Sequence, residues 1–285
     1  VSGSLTLHTD GVVLRGAGLQ EGGTTLLGTG QDRATLITIG GKNDKQEAEA
    51  VEIADSYVPV NSLQLTVKSG SFKVGDRIII RRLDSEAWIT RLGTAHFGGG
   101  NTTLGWKLGN QILCWERTLT AVVGNTLTLD APLTNALDPQ YGSTTVSKLT
   151  WPGRINRCGV ENLYLASTVD PDNAKDENHR WNAVSLENCE HCWVRRLKVS
   201  RFAGSAVHAL ETARHITVED IISLDPVSEI GGYRRYTFYN EGQLNLFQRL
   251  YAELGYHDFA TGHLTSGPNA FVQCLSVGAH SFSGT

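Results

Sequence analysis

Histidine, arginine and tyrosine residues recur beside aromatic residues in four short segments near the end of the sequence. These segments read "SRFAGSA", "GYRRYTF", "GYHDFATG" and "GAHSFSG". His257 and His280 stand 23 residues apart in the same "HxF" frame, while Arg201 and the pair Arg234–Arg235 occupy nearly equivalent places one and two segments earlier. If the segments stack on one another, these basic groups converge on one edge of the molecule.

This set of groups suits β-elimination on a uronic acid. The reaction removes the proton α to the carboxylate and expels the leaving oxygen, so it needs a cation, a base and an acid. Histidine titrates near neutral pH and can serve as the base. We assign Arg235 (or Arg234) to the carboxylate, His257 to the base, and Tyr236 or His280 to the acid.

Further side chains near this edge are expected to bind the substrate. We predict that His208 and His263 lie on the adjoining strand. The complete set of predicted binding residues is Arg201, Arg234, Tyr239, Tyr256, His208 and His263.

A short repeated phrase predicts the fold that would bring these residues together. It occurs as "VENL" from Val160, "VRRL" from Val194, "VEDI" from Val218, "FQRL" from Phe247 and "VQCL" from Val272. The starts are 34, 24, 29 and 25 residues apart, and periods of this size are typical of solenoids. Alternation of Val, Ile, Thr and Leu indicates strands rather than helices. A second strand is predicted upstream of the last four phrases, in "AVSLEN", "AVHALE", "YTFYNE" and "TGHLTS".

The repeat therefore predicts an all-β, right-handed parallel β-helix with about 4.8 Å between equivalent residues of successive coils. Aligned phrases predict an outward column whose charges form a surface ladder, consisting of Asn162, Arg196, Asp220, Arg249 and Cys274. The neighbouring column consists of Tyr164, Lys198, Ile222, Tyr251 and Ser276. Phe202, Phe259 and Phe282 are predicted to stack inward.

The sequence also resembles the pectin-lyase-like β-helix superfamily. "GVVLRGAGLQEGGTTLLGTG" is similar to the opening coils of such proteins, and "GRINRCGVENLYLAS" is similar to a return to the coil after an insertion. The resemblance covers residues 1–42 and 151–285. It implies a carbohydrate-active protein, because the superfamily contains lyases, hydrolases, epimerases and non-catalytic binding proteins.

Residues 43–150 break the coil rhythm and predict a small inserted all-β subdomain. "RTLTAVVGNTLTLDAPL" reads as a hairpin around "GN". The insert carries Trp88, Trp106 and Trp115, which either fill its core or stack on sugar rings. We thus expect coils in residues 1–42, the insert in 43–150 and the main coils in 151–285, truncated at the C-terminus.

Three alternatives to a lyase remain open: a glycoside hydrolase, a glycan-binding module and an adhesin. A hydrolase needs two carboxylates at a defined separation, and the candidates are Asp220, Glu219, Asp225, Glu241 and Asp258. Loops that lengthen two coils favour a site over a regular stalk. No cofactor or metal ligand is assigned, although the loop with Asp170, Asp172, Asp176 and Glu177 fits either a calcium site or a solvated acidic surface.

Composition narrows the partners of the 285-residue chain. A net charge of −4 argues against a nucleic-acid partner, and no apolar run approaches the length of a spanning helix. We expect a monomer that is secreted, periplasmic or at the cell surface and acts on an acidic polysaccharide or oligosaccharide. The five cysteines, including the CxxC of Cys189 and Cys192, are expected to be buried structural thiols, with one disulfide if the protein is exported.

Overall fold

The computed structural model of the protein describes residues 1–96 and 105–280, and Phe282 of the predicted aromatic stack lies outside these ranges. Two compact units are present. The first contains Val1–Asn43, Gly153–Thr265 and the described residues from Asn269 onward, and the second contains Asp44–Pro152 and Ser266–Pro268.

Short strands dominate the described chain, with one α-helix, α1 (Glu86–Leu92). The strands, in chain order, are β1 (Leu5–Leu7), β2 (Val13–Arg15), β3 (Thr25–Gly28), β4 (Ile37–Gly40), β5 (Gln46–Glu47), β6 (Val51–Glu52), β7 (Gln64–Thr66), β8 (Arg77–Arg82), β9 (Leu113–Val123), β10 (Thr126–Leu129), β11 (Thr144–Thr150), β12 (Ile155–Asn156), β13 (Gly159–Ser167), β14 (Val184–Glu187), β15 (Cys189–Glu190), β16 (Trp193–Ser200), β17 (Val207–Ala209), β18 (Ala213–Arg214), β19 (Thr217–Leu224), β20 (Phe238–Asn240), β21 (Leu246–Glu253), β22 (Phe259–Thr261), β23 (Ala270–Val272) and β24 (Leu275–Val277).

The first unit is a parallel β-helix, which confirms the predicted fold class. Its strands form three parallel sheets. Sheet 1 has the order β1-β4-β14-β17-β20-β22, sheet 2 has the order β2-β13-β16-β19-β21-β23 with β3 and β24 alongside, and sheet 3 has the order β12-β15-β18. Each coil thus passes through the sheets in turn, and residues in register are vertical neighbours.

The core of the β-helix is built from aliphatic side chains that alternate with outward polar ones, as period-two patterning requires. Ile37, Val184 and Val207 stack in register in sheet 1 and are fully buried. Toward the last coils the stack becomes aromatic, since Phe238 and Phe259 pack with ring centroids 5.6 Å apart. Phe202 is buried in the same core, but the register pairs Phe259 with Phe238.

The long strands of sheet 2 bend at one residue per coil, where the backbone adopts a positive φ. The residues at this bend are Asn162, Arg196, Asp220, Arg249 and Gln273, with φ values of 58°, 50°, 56°, 52° and 54°. Asn and Asp adopt this region more readily than other non-glycine residues. None of these five bends uses glycine.

Two details of the predicted repeat are wrong by a small shift. Phe247 pairs with Phe271, so the last phrase begins one residue earlier than Val272. Gln273 rather than Cys274 continues the outward column, and Cys274 packs against the core. Leu275, in place of Ser276, is the partner of Tyr251.

The last strand of sheet 1 is also displaced from its predicted position. It is formed by β22, which ends at Thr261, whereas "TGHLTS" was expected to form it. His263 therefore follows the strand instead of lying on it, and the prediction that it lies on the adjoining strand with His208 is wrong for His263.

The second unit is an antiparallel sheet with the order β5-β11-β8-β9-β10-β7, in which β6 also pairs with β11. The β9–β10 hairpin turns at Gly124, whose φ of 58° suits the "GN" turn. Trp115 is fully buried and donates its indole N–H to Thr134 Oγ1 at 3.0 Å. Trp88 and Trp106 pack together with centroids 5.4 Å apart, and the Arg82 guanidinium lies over Trp88. Within the described ranges, no helix is long and apolar enough to cross a membrane.

Candidate functional site

A cleft of about 220 Å³ opens on the outer face of sheet 1. Its walls are mainly aromatic and its remaining side chains are polar, a combination typical of small-molecule and sugar sites. The lining residues are Trp181, Asn182, Ser205, His208, Tyr233, Tyr236, Tyr239 and Glu241.

Strand register accounts for the centre of this cleft. His208 of β17 pairs with Tyr239 of β20, and both side chains point outward because their neighbours Val207 and Phe238 point into the core. Their rings stack with centroids 4.7 Å apart and planes 27° from parallel. Glu241 comes two residues after Tyr239, so its side chain lies on the same outer face.

The Glu241 carboxylate holds both rings by hydrogen bonds. Its Oε2 lies 2.7 Å from His208 Nε2, and its Oε1 accepts the Tyr239 hydroxyl at 3.0 Å. The bond from His208 lowers the pKa of Glu241, so the carboxyl is ionised and the proton of the short contact belongs to Nε2. In its neutral form the His208 ring then keeps its lone pair on Nδ1.

The two central tyrosines are proton donors rather than bases. Burial, and then the charge of Glu241, raises the pKa of Tyr239. Burial also raises the pKa of Tyr236, whose ring packs edge-to-face on Tyr239 at 5.1 Å and on His257 at 4.6 Å. Both hydroxyls therefore keep their protons at neutral pH.

His257 extends the aromatic cluster beyond the cleft. Its ring packs against Tyr256 with centroids 4.2 Å apart. Burial lowers the pKa of His257, an effect that the charge of Asp258 opposes, so the ring is neutral at pH 7. The structure thus brings together five residues predicted for the site, namely Tyr236, His257, Tyr239, Tyr256 and His208.

The predicted arginines are engaged elsewhere. Arg235 is buried, with its guanidinium donating to Ser228 Oγ, Ser228 O and Leu254 O at 3.2, 2.8 and 3.1 Å. Arg234 donates to both oxygens of Glu177, with Nε–Oε1 at 2.6 Å and Nη2–Oε2 at 3.2 Å. This geometry argues against the role assigned to Arg235, because its charged group faces the protein's own carbonyls and not the cleft.

The other predicted residues lie outside the lining of the cleft. Arg201 is an exposed residue with a φ of 63° just after β16, and His263 is an exposed residue just after β22. The backbone N–H of His280 donates to Gly255 O at 2.8 Å. Sequence equivalence therefore placed these residues on neighbouring coils without placing their side chains in one site.

In the acidic loop, residues 168–183, the aspartates accept hydrogen bonds from backbone N–H groups of the same loop. Asp176 is buried and accepts the backbone N–H groups of Asp170 and Asn178 at 3.0 and 2.8 Å. Asp170 accepts the N–H of Asp172 at 3.0 Å. Across the described ranges no group of three or more His, Cys, Asp or Glu residues is arranged to hold a metal ion.

Sequence reasoning missed several cleft residues. Glu241 was considered only as a hydrolase carboxylate, although alternation in "YTFYNE" places it on the same face as Tyr239. Trp181, Asn182 and Ser205 come from the turns before β14 and β17, and Tyr233 comes from the loop before β20. These turns vary in length from coil to coil, so alignment of the repeat gives no signal for them.

Comparisons with known proteins return structural neighbours only. No family model matches the sequence, and no curated protein matches it. The fold is similar to the tailspike protein gp49 of Pseudomonas phage LKA1 (TM-score 0.43, 12% identity, 96% of this chain and 46% of that chain). It is also similar to the tailspike gp61 of Pseudomonas phage phi297 (0.40, 11%, 88% and 41%). A third neighbour is the gp54 tailspike of Acinetobacter baumannii bacteriophage AP22, solved in complex with A. baumannii capsular saccharide (0.39, 10%, 97% and 51%). The chain spans about half the length of these proteins.

Proposed function

We propose that the protein binds an acidic glycan in the sheet 1 cleft and cleaves it by β-elimination. The observation that carries the proposal is the His208–Glu241 pair, set among aromatic rings on an outward strand face. A carboxylate that accepts Nε2–H fixes the tautomer of the ring and makes Nδ1 the basic atom, the same logic by which carboxylates orient catalytic histidines. Aromatic rings beside it offer stacking surfaces for sugars.

In the proposed reaction, His208 Nδ1 removes the proton α to the uronate carboxylate. The electron pair of that C–H bond forms the new carbon–carbon double bond, and the bond to the leaving oxygen breaks. A tyrosine hydroxyl protonates this oxygen, and Tyr236 is the candidate because Tyr239 donates to Glu241. This assignment moves the base from His257 to His208, because His208 lines the cleft and His257 does not.

Elimination is preferred to hydrolysis because it needs a single base and a single acid. A glycoside hydrolase needs two carboxylates across the scissile bond, and among the described residues that line the cleft Glu241 is the one carboxylate. Membership of the pectin-lyase-like superfamily is part of the proposal, as is an exported location.

Binding without cleavage is the second candidate function. It is favoured by the hydrogen bonds that hold Arg234 and Arg235 away from the cleft, because elimination gains from a cation on the substrate carboxylate. A glycan bound mainly by ring stacking has no such need.

Incubation with polygalacturonate, alginate and hyaluronan separates these functions. Elimination gives an unsaturated uronic product that absorbs in the ultraviolet, and His208→Ala removes this absorbance. Release of reducing ends without that absorbance would show hydrolysis and contradict the proposed reaction. Retention of a polymer in affinity electrophoresis, without cleavage, would establish the second candidate.

A further inference from the structure

Glu177 joins two loops that both contribute to the cleft wall. One is the acidic loop, which leads to Trp181. The other is the tyrosine loop, residues 225–237, which carries Tyr233 and Tyr236. Neither loop belongs to a strand. Backbone hydrogen bonds join Trp181 to Ala34 and Gly204 at 3.2 and 2.8 Å, and contacts between side chains add to them in positioning the rings.

The first arm of this connection reaches Trp181 through Arg33. Arg33 Nη2 donates to Glu177 Oε2 at 3.0 Å, and Arg33 Nε donates to the backbone carbonyl of Glu177 at 3.1 Å. The guanidinium carbon of Arg33 lies 5.4 Å from the centre of the Trp181 ring. The carboxylate therefore fixes a cation that packs on one aromatic wall.

The second arm reaches the tyrosine loop through Arg234. The two hydrogen bonds from Arg234 take both carboxylate oxygens of Glu177, a paired geometry that fixes orientation as well as distance. Tyr233 precedes Arg234 in the chain, and its ring packs 6.2 Å from that of Tyr236. The bond from Arg234 also lowers the pKa of Glu177, so the carboxylate is charged at neutral pH.

The burial of Glu177 separates this connection from an ordinary surface ion pair. The Glu177 side chain is 10% exposed and is bound by two guanidiniums, with the side chains of Arg33 and Arg234 51% and 35% exposed. Lys175 and Glu229 join the same two loops at 3.1 Å, but their side chains are 66% and 51% exposed. Exposed pairs of that kind contribute little, because water screens them and ordering two long side chains costs entropy.

We propose that Glu177 is a positioning residue for the cleft, which holds the Trp181 wall through Arg33 and the tyrosine wall through Arg234. This inference rests on the proposed function and deepens it. Glu177 does not touch the reacting groups, so it acts on substrate affinity through Trp181 and on the chemical step only through the position of Tyr236, the proposed acid.

Two measurements without substrate test whether Glu177 holds the walls. Acrylamide quenching of tryptophan fluorescence, compared between proteins with and without Trp181→Phe, isolates the signal of Trp181. Glu177→Gln should raise the quenching of Trp181 and speed backbone hydrogen exchange in residues 229–236 by about tenfold. Glu229→Gln, the matched control in the exposed bridge, should change neither.

Single-arm variants keep the test decisive if Glu177→Gln does not fold. Arg33→Gln should increase quenching of Trp181 and leave exchange in residues 229–236 unchanged. Arg234→Gln should do the reverse. Equal effects of the two variants on both signals would contradict separate arms and would indicate a general loosening of the fold.

Kinetics with polygalacturonate, alginate and hyaluronan test the link to affinity. For a polymer that the wild-type protein cleaves, Glu177→Gln should raise KM about tenfold and lower kcat by less than Tyr236→Phe does, because the acid is displaced and not removed. If the wild-type protein binds without cleavage, the same rise is expected in Kd. An unchanged KM or Kd, with unchanged quenching, overturns the inference. A wild-type protein that neither binds nor cleaves any of the three polymers contradicts the proposed function instead, and quenching and exchange still decide whether Glu177 holds the walls.

Discussion

The outer faces of sheets 1 and 2 are built by the same vertical stacking but differ in what their side chains do. On sheet 2, oppositely charged side chains of neighbouring coils form ion pairs with one another. Arg249, for example, donates to both oxygens of Asp220 at 2.7 and 3.0 Å. On sheet 1, the stacked rings of His208 and Tyr239 share the Glu241 carboxylate and line a cleft. Stacking alone therefore does not make a site.

Loops account for the difference between the two faces. The acidic loop and the tyrosine loop both precede strands of sheet 1, and they contribute Trp181, Tyr233 and Tyr236 to the cleft. Walls around an outward column form a concave surface of the kind that binds ligands. The regular strands align the outward side chains of successive coils, and the loops of variable length form the walls of the cleft.

Removing the base on sheet 1 should have the largest effect. We expect His208→Ala to lower kcat about 10³-fold, since a positioned acid–base group contributes on the order of 10²–10⁴. His257→Ala, the matched control outside the cleft lining, should keep kcat within about tenfold of the wild-type value. Initial rates of ultraviolet absorbance on a cleaved polymer measure both, and the reverse order would return the base to His257.

A buried carboxylate on sheet 2 should give the next largest effect, on stability and not on activity. Glu161 is fully buried and accepts hydrogen bonds from Arg15, Arg195 and Trp193. We expect Glu161→Gln to lower the free energy of unfolding by about 2 kcal/mol, because the partly exposed Arg15 and Arg195 lose the buried carboxylate that accepts their hydrogen bonds. Denaturant unfolding at pH 7 checks this value, and kcat of the folded variant should be unchanged.

The same residue predicts how stability depends on pH. Burial alone would raise the pKa of Glu161, but hydrogen bonds from Arg195, Trp193 and Arg15 outweigh it and lower the pKa to about 2, from an ordinary value of 4.5. A lowered folded pKa stabilises the protein above pH 4.5, and this contribution is lost as the pH falls from 4.5 toward 2. Glu161→Gln should therefore flatten the stability profile in that window, whereas a parallel profile would show that other carboxyls dominate it.

Loss of the Tyr239 hydroxyl should have a smaller effect that is confined to sheet 1. Tyr239→Phe keeps the ring that stacks on His208 and removes one of the two hydrogen bonds to Glu241. We expect kcat to fall about threefold to tenfold, the range for a group that orients a catalytic residue rather than reacting. Tyr236→Phe should lower kcat more if Tyr236 is the acid, so the ratio of the two variants ranks their roles.

The exposed ladder on sheet 2 should be the least sensitive feature. Arg249→Gln breaks the contacts to Asp220, and we expect the Tm to fall by less than about 2 °C because exposed ion pairs contribute little. Differential scanning calorimetry measures this change. A fall comparable to that of Glu161→Gln would remove the distinction between the exposed and buried charges of this face.

The sequence predicted the β-helix because its repeat records a regular physical constraint, the alternation of inward and outward side chains. It also predicted the ladder of Arg196, Asp220 and Arg249, in which Arg196 Nε reaches Asn162 Oδ1 at 2.6 Å and Arg249 reaches Asp220. The predicted register was wrong by one residue at Cys274. There Phe271 and Val272 are adjacent apolar residues, as are Cys274 and Leu275, so the pattern fits two alignments.

The site was harder to predict, because a coil position does not fix where a long side chain points. Arg235 lies one residue before Tyr236, yet a positive φ of 54° turns the chain there and its guanidinium lies among backbone carbonyls. The reach of Glu177 to Arg33 and Arg234 depends on two loops that share no repeat. Such contacts depend on three-dimensional packing, and the spacing of residues in the sequence does not indicate them.

The bend of sheet 2, with one positive φ in every turn of the solenoid, has an evolutionary consequence. The bends at Arg196 and Asp220 are separated by one whole 24-residue turn. A duplicated or deleted unit of this length therefore includes one complete bend. Neighbouring turns then meet a surface of the same shape, as in other proteins stabilised by nearest-neighbour contacts. The chain can therefore lengthen or shorten by whole turns during its history, whereas loss of the turn between Arg196 and Asp220 would also remove Ser205 and His208 from the cleft.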